Sequence, residues 1–151
     1  MNSRRSLLLA GLLAFFSAAR GAESPLRQYA TVTVAPAKTS IYVGSVSLSL
    51  TPCARNNGTY ATSYVAKVFP FFFYNEQGKL WIVFSDDDLH RLERGETVNF
   101  TGHAHSDDGE ERRVEGRATR IDATGGKIVV RVFVSKRIGL VFNTTYRIAP
   151  R

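Results

Sequence analysis

The sequence predicts a mainly β domain. About eight antiparallel strands close into a small barrel, with a two-sheet sandwich as the alternative and one short helix around residues 86–94. Three observations carry this expectation. Short runs of residues alternate apolar and polar side chains, the period-two pattern of half-buried strands. Turn-forming clusters such as Arg55-Asn-Asn-Gly58, Asp107-Asp-Gly-Glu110 and Thr124-Gly-Gly-Lys127 separate those runs at short spacing. Only one stretch, opening at Ser85-Asp-Asp-Asp88, carries helix signals. A barrel is preferred to a sandwich because closure removes exposed strand edges.

The first residues stand apart from this pattern. Arg4 and Arg5 precede an apolar run from Leu7 to Ala19, and small residues continue to Ala22. That is the layout of an export signal. The expected organisation is a signal peptide over residues 1–21 and a single β domain over 22–151. Ser3-Arg4-Arg5-Ser6-Leu7-Leu8 resembles the bacterial twin-arginine export motif, which implies export of an already folded protein. Leu9 stands where that motif carries Lys, and an ordinary secretory leader fits the same residues. Both readings place the domain in the periplasm or outside a bacterial cell. No later stretch reaches the length of a membrane-spanning helix. Cys53 is the only cysteine, so no internal disulfide forms.

The strands follow in order. Residues 28–34 alternate as a first strand, and Ala35-Pro36-Ala37 breaks it. Residues 40–51 set Val46, Leu48 and Leu50 against Ser45, Ser47 and Ser49, a half-buried strand. Asn57-Gly58 accepts the left-handed turn of a tight hairpin. Residues 65–74 are aromatic and branched, with Phe69, Phe71 and Phe73 on one expected face and Val68, Phe72 and Tyr74 on the other. Asn75–Gly78 reads as the next turn, and residues 80–84, with the only Trp, as the return strand. Ser85 caps the helix, with Asp88 at the capping-box position and Leu89 and Leu92 as its apolar stripe. Gly95 ends it.

Residues 97–105 and 112–121 form a hairpin. Its predicted register sets Gly102 opposite Gly116, beneath an aromatic side chain from residues 69–84. Residues 128–134 and 140–148 form the last hairpin, with Val132 opposite Phe142 and Ile128 opposite Tyr146.

Charge is segregated along the chain, whose formal net charge is +7. Residues 85–111 hold nine acidic and two basic side chains, and residues 112–151 hold ten basic and two acidic ones. Strands from the two blocks attract one another on a solvated surface. Export excludes nucleic acid as the partner of the basic half. An envelope protein, a lipid or a polysaccharide is the partner class that remains.

Two groups of residues are candidate sites. Phe71, Phe73 and Trp81 offer a stacking surface for sugars or an apolar mouth for a lipid. His103, His105, Asp107 and Glu115 carry metal-ligand chemistry, since residues two apart on a strand share a face. His103-Ala-His105-Ser-Asp107-Asp108 resembles the opening of the metallo-β-lactamase signature, but Asp108 replaces its third His and the chain is too short for that fold. There is no Gly-x-Ser-x-Gly elbow, no phosphate loop and no cofactor motif. The leading expectation is an exported, non-catalytic barrel module of the cell envelope that binds a partner or an apolar or anionic ligand. The alternatives are a small metal-dependent hydrolase using His103, His105 and Asp107, and a purely structural assembly component.

Overall fold

The alternation becomes ten strand segments in the computed structural model of the chain, which describes residues 25–149. They are β1 (Thr31–Val34), β2 (Ala37–Ile41), β3 (Gly44–Leu50), β4 (Cys53–Asn56), β5 (Thr59–Phe69), β6 (Glu76–Val83), β7 (Val98–Ser106), β8 (Glu111–Asp122), β9 (Gly125–Phe133) and β10 (Gly139–Ile148). One helix, α1 (Asp86–Glu93), lies between β6 and β7. The expected leader lies outside the described residues.

Two prolines explain why ten segments make eight strands. Pro36 cannot donate to a ladder, so the first strand divides into β1, paired with β4 and β10, and β2, paired with β3. Pro52 divides the second strand into β3 and β4, and both pair with β5. Each strand then pairs antiparallel with the next, and β1 closes on β10 to complete an eight-stranded barrel. The barrel, not the sandwich, is the architecture.

Several expected boundaries move. Residues 28–34 divide between a 3₁₀ turn, Pro25–Tyr29, and β1. Residues 40–51 are not one strand: the chain bends back at Tyr42 and Val43. Gly44 makes that bend, because a Cβ there would sit 1.9 Å from the carbonyl oxygen of Phe69. The aromatic run also stops early. β5 ends at Phe69, the Phe69–Pro70 peptide is cis, and Phe72–Tyr74 form a 3₁₀ turn. Gly78 is therefore inside β6, opposite Tyr64 and Ser106, rather than in a turn.

The two later hairpins keep their predicted faces but not their predicted register. Gly102 lies opposite Val114 and Phe100 opposite Gly116; Val132 lies opposite Leu140 and Val130 opposite Phe142. Each ladder is displaced by two residues because each turn is centred one residue earlier than the predicted register places it, at Asp108 and at Lys136. A slip of two preserves which side chains face inward. It does change their neighbours. The ring over Gly116 belongs to Phe100, whose Cζ would lie 2.3 Å from an added Cβ, and Gly102 is covered by Ile82. No aromatic from residues 69–84 takes that place.

The meander puts the loops in two sets. The tips at 42–43, 70–75, 107–110 and 134–138 share one end, called here the rim. The Asn57-Gly58 turn, both with positive φ, shares the other end with α1 and the Pro25–Tyr29 turn. α1 plugs that end. Ser85 and Asp88 form its capping box, and Leu89 and Leu92 are buried in the main core beside Tyr29, Tyr60, Phe84, Phe100 and Ile148. Arg55 fastens the helix start, donating at 2.8 Å to the Phe84 carbonyl and at 2.8 Å to Asp86. A smaller apolar cluster of Ala37, Val46 and Phe142 lies along β2, β3 and β10. The outer wall is the reverse of a lipid-embedded barrel: Lys67, Lys79, Asn99, Thr101, Arg117 and Lys127 are exposed on it. Among the described residues, no helix is long and apolar enough to cross a membrane.

Candidate functional site

Alternation along each strand decides what faces inward. On β5 these are Tyr60, Thr62, Tyr64, Ala66 and Val68; on β8 they are Val114, Gly116 and Ala118, and the same parity carries Arg112 and Arg120 inward at its two ends. Eight strands give an interior just wide enough for side chains to fill or for one small ligand. Here a cavity of about 460 Å³ remains. Its lining runs from Tyr29, Leu89 and Leu92 at the plug, past Leu48, Leu80, Val130 and Phe142, to Phe73, Tyr74, Asn75 and Asp108 at the rim. Cavities of this size and lining are typical of small-molecule sites.

The polar groups of the interior are gathered at its two ends. Near the rim, the Tyr64 hydroxyl donates to Glu76 Oε1 at 2.6 Å, and Arg112 Nη2 donates to Glu76 Oε2 at 2.8 Å. A second guanidinium nitrogen of Arg112 donates to the Val134 carbonyl at 3.0 Å. Burial by itself pushes Glu76 up, but the hydrogen bonds from Arg112 and Tyr64 and the Arg112 charge outweigh it, so its carboxyl sits below the usual value. Burial and the bond to Glu76 push the Tyr64 phenol well above its ordinary value.

At the plug the same three residue types recur. Tyr29 donates to Glu93 Oε1 and Arg120 to Glu93 Oε2, joining the 3₁₀ turn, α1 and β8. The Tyr60 hydroxyl donates to the Tyr29 carbonyl at 2.7 Å. Tyr146 is different: its buried hydroxyl has no hydrogen-bond partner among the described residues, and burial pushes it up to about 12. Cys53, also buried, has its thiol raised by burial, and its hydrogen-bond partners among the described residues are Thr51 and Thr62, neither of them a base.

The structure divides the first predicted group. Phe71 and Phe73 meet edge to face in the rim loop, 5.9 Å between ring centres, and Phe73 lines the cavity. Trp81 does not join them. It sits between inward-facing Leu80 and Ile82, points outward, and stacks on His103 at 4.9 Å. The second group is spread over the outer wall and the 107–110 loop. His105 pairs with Glu111, Asp107 accepts from Gln77 at 3.1 Å, and Glu115 lies 3.8 Å from Arg113. Among the described residues, no group of three or more His, Cys, Asp or Glu side chains converges to hold a metal ion.

The half-buried pairs Glu76–Arg112 and Glu93–Arg120 were not singled out in the sequence. A signal for them existed. Extending the alternation of Val114, Gly116 and Ala118 by two residues each way reaches both arginines, and the opposed charge blocks supply Glu93 as one partner. The one ion pair that joins the two blocks among the described residues, Glu93 with Arg120, is half-buried rather than on the solvated surface where the two blocks were expected to meet. No protein-family model, no curated protein and no solved structure matches this chain.

Proposed function

We propose that this chain is an exported, non-catalytic binding module of the cell envelope whose barrel interior holds one small, predominantly apolar molecule. The cavity carries this reading: about 460 Å³ of space, walled by aliphatic and aromatic side chains, reaching the rim at Phe73 and Tyr74. Two of the charged groups that line it, Glu76 and Arg112, are engaged with each other near the rim, which suits a ligand with an apolar body and a polar end towards solvent. Residues 1–21 support export, and with it a periplasmic or secreted location. The hydrolase alternative gains nothing from the placement of His103, His105, Asp107 and Glu115, which make separate contacts on the outer wall and the 107–110 loop.

The test is binding of N-phenyl-1-naphthylamine, a neutral apolar fluorophore. One probe per chain is expected, with enhanced and blue-shifted emission. Ala66 lines the cavity on β5, so Ala66→Phe fills it from within. That variant should lose the probe by roughly tenfold or more while unfolding at or above the wild-type midpoint. A wild-type protein that leaves the probe in water, or an Ala66→Phe variant that binds it unchanged, sinks the reading.

A further inference from the structure

Among the described residues, it is at the rim that large apolar side chains gather in the open. Phe69, Phe72 and Phe73 expose between 67% and 75% of their surface, Tyr42 is fully exposed at the tip of the β2–β3 hairpin, and Ile138 is 57% exposed on the β9–β10 loop. These residues come from three separate loops and the strand end that leads into one of them, and none belongs to the buried core. A patch of this kind marks an interaction surface.

Basic residues collect on the same side. Lys38 and Lys67 lie exposed on the outer wall just below the Tyr42 and Phe69 tips, both facing Ser47 across their ladders. Lys136 and Arg137 are exposed beside Ile138. Among the described residues none of these four takes part in an ion pair. The acidic loop, with Asp107, Asp108 and Glu110, faces the 42–43 tip across the mouth and stands between the other two loops, because the loops follow one another around the barrel in the order 42–43, 70–75, 107–110, 134–138.

We propose that the rim docks on an anionic lipid surface tilted towards its 42–43 tip and away from the acidic loop, with the aromatic tips entering the headgroup layer and the four cations meeting lipid phosphates. Aromatic rings prefer the headgroup level, and cations just outside it are attracted to anionic lipid. The charged wall below the tips limits entry to the loops, so the protein lies on the bilayer rather than spanning it. A lipid surface also conforms to three loop tips of different height, whereas a protein partner must match their relief. Docked in this way, the cavity mouth opens towards the acyl layer. The docking itself rests on the exposed loops, not on the cavity reading above.

The described barrel lies wholly within residues 25–149, so the chain is tested from Ala22 onward, free of the apolar leader. Flotation is measured with vesicles of phosphatidylcholine alone and of phosphatidylcholine mixed with phosphatidylglycerol, at low and high salt. The protein should float with the mixed vesicles and much less with the neutral ones. Tyr42→Ser with Phe72→Ser, neither of which lines the cavity, should weaken binding by roughly tenfold or more without moving the thermal midpoint. Lys38→Glu with Lys67→Glu should weaken it by roughly fivefold or more per cation and flatten its salt dependence. Glu110→Gln, across the mouth, should not weaken it. Ala66→Phe should float like the wild type even where it has lost the apolar probe, which keeps this docking separate from the cavity reading. A wild type that stays with neither vesicle overturns the proposal, as do aromatic variants that float unchanged. So does self-association in solution that Tyr42→Ser with Phe72→Ser disperses, because the patch is then a contact between copies.

Discussion

The two ends of the barrel use the same three side chains for different ends. At the plug, Tyr29, Glu93 and Arg120 come from three elements, the 3₁₀ turn, α1 and β8, and their bonds fasten a helix across the barrel opening. At the rim, Tyr64, Glu76 and Arg112 belong to wall strands, with the Val134 carbonyl as a fourth partner, and their bonds tie the wall together around a mouth. Exposure does not separate the two ion pairs: each has side chains 18–19% exposed. What differs is what lies above them. Leu89 and Leu92 of α1 cover the lower cluster with apolar surface, whereas the rim loops carry their apolar side chains outward. A half-buried Tyr–Glu–Arg cluster is therefore compatible with either a closed or an open barrel end; the connection that follows it decides which.

Breaking the lower cluster should have the largest effect. Glu93→Leu leaves Arg120 half-buried without its carboxylate and Tyr29 without its acceptor. It should lower unfolding free energy by about 3 kcal/mol, read by urea denaturation. An effect no larger than that at the rim would remove the distinction drawn between the ends. Gly116→Val tests the packing just above the plug. Its Cβ would collide with the Phe100 ring at 2.3 Å and approach the Val129 carbonyl at 2.5 Å. A loss of about 2 kcal/mol is expected, and a Gly116→Val protein as stable as wild type contradicts the placement of Phe100.

At the rim, Glu76→Gln should cost about 1–2 kcal/mol at neutral pH. Its pH dependence has a definite sign. The folded carboxyl titrates below its unfolded value, so its stabilising contribution is present above the unfolded value, about 4.3, and is lost as pH falls through the folded one. Stability curves of wild type and Glu76→Gln should therefore converge in acid. Curves that stay parallel down to the acid transition would show that Glu76 makes no charge-dependent contribution. The smallest expected change is Ser85→Ala, which removes one half of the capping box of α1 and should cost about 1 kcal/mol. If the plug is fastened chiefly by Glu93, Ser85→Ala should lower the melting temperature less than Glu93→Leu does.

Much of this architecture was legible in the residues. Period-two alternation, the Asn57-Gly58 turn and the Ser85–Asp88 capping box each act over a few residues, and each was found where the pattern placed it. The readings that failed depended on longer connections. The aromatic run read as one strand, yet the chain leaves the ladder at Pro70 and returns at Glu76, so Phe71–Tyr74 became a rim loop. The residue on which each turn centres, which local pattern does not specify, displaced two registers by two residues and put Phe100 rather than a distant aromatic over Gly116. Of the candidate ligand contacts, Phe73 reached the cavity through that loop, while Trp81 was held outward by strand parity.

By itself the sequence determined which side chains face inward, because strand parity is a local property that a two-residue slip cannot change. It also determined where the helix starts and that opposed charges would meet. The tertiary structure alone decided that the barrel interior keeps a cavity, that Glu76 and Glu93 each find an arginine on β8, and that the aromatic loop ends up open at the rim. Those outcomes depend on how strands distant in sequence close around one another. Closure sets the interior volume and the partners of inward charges, and no local pattern encodes either.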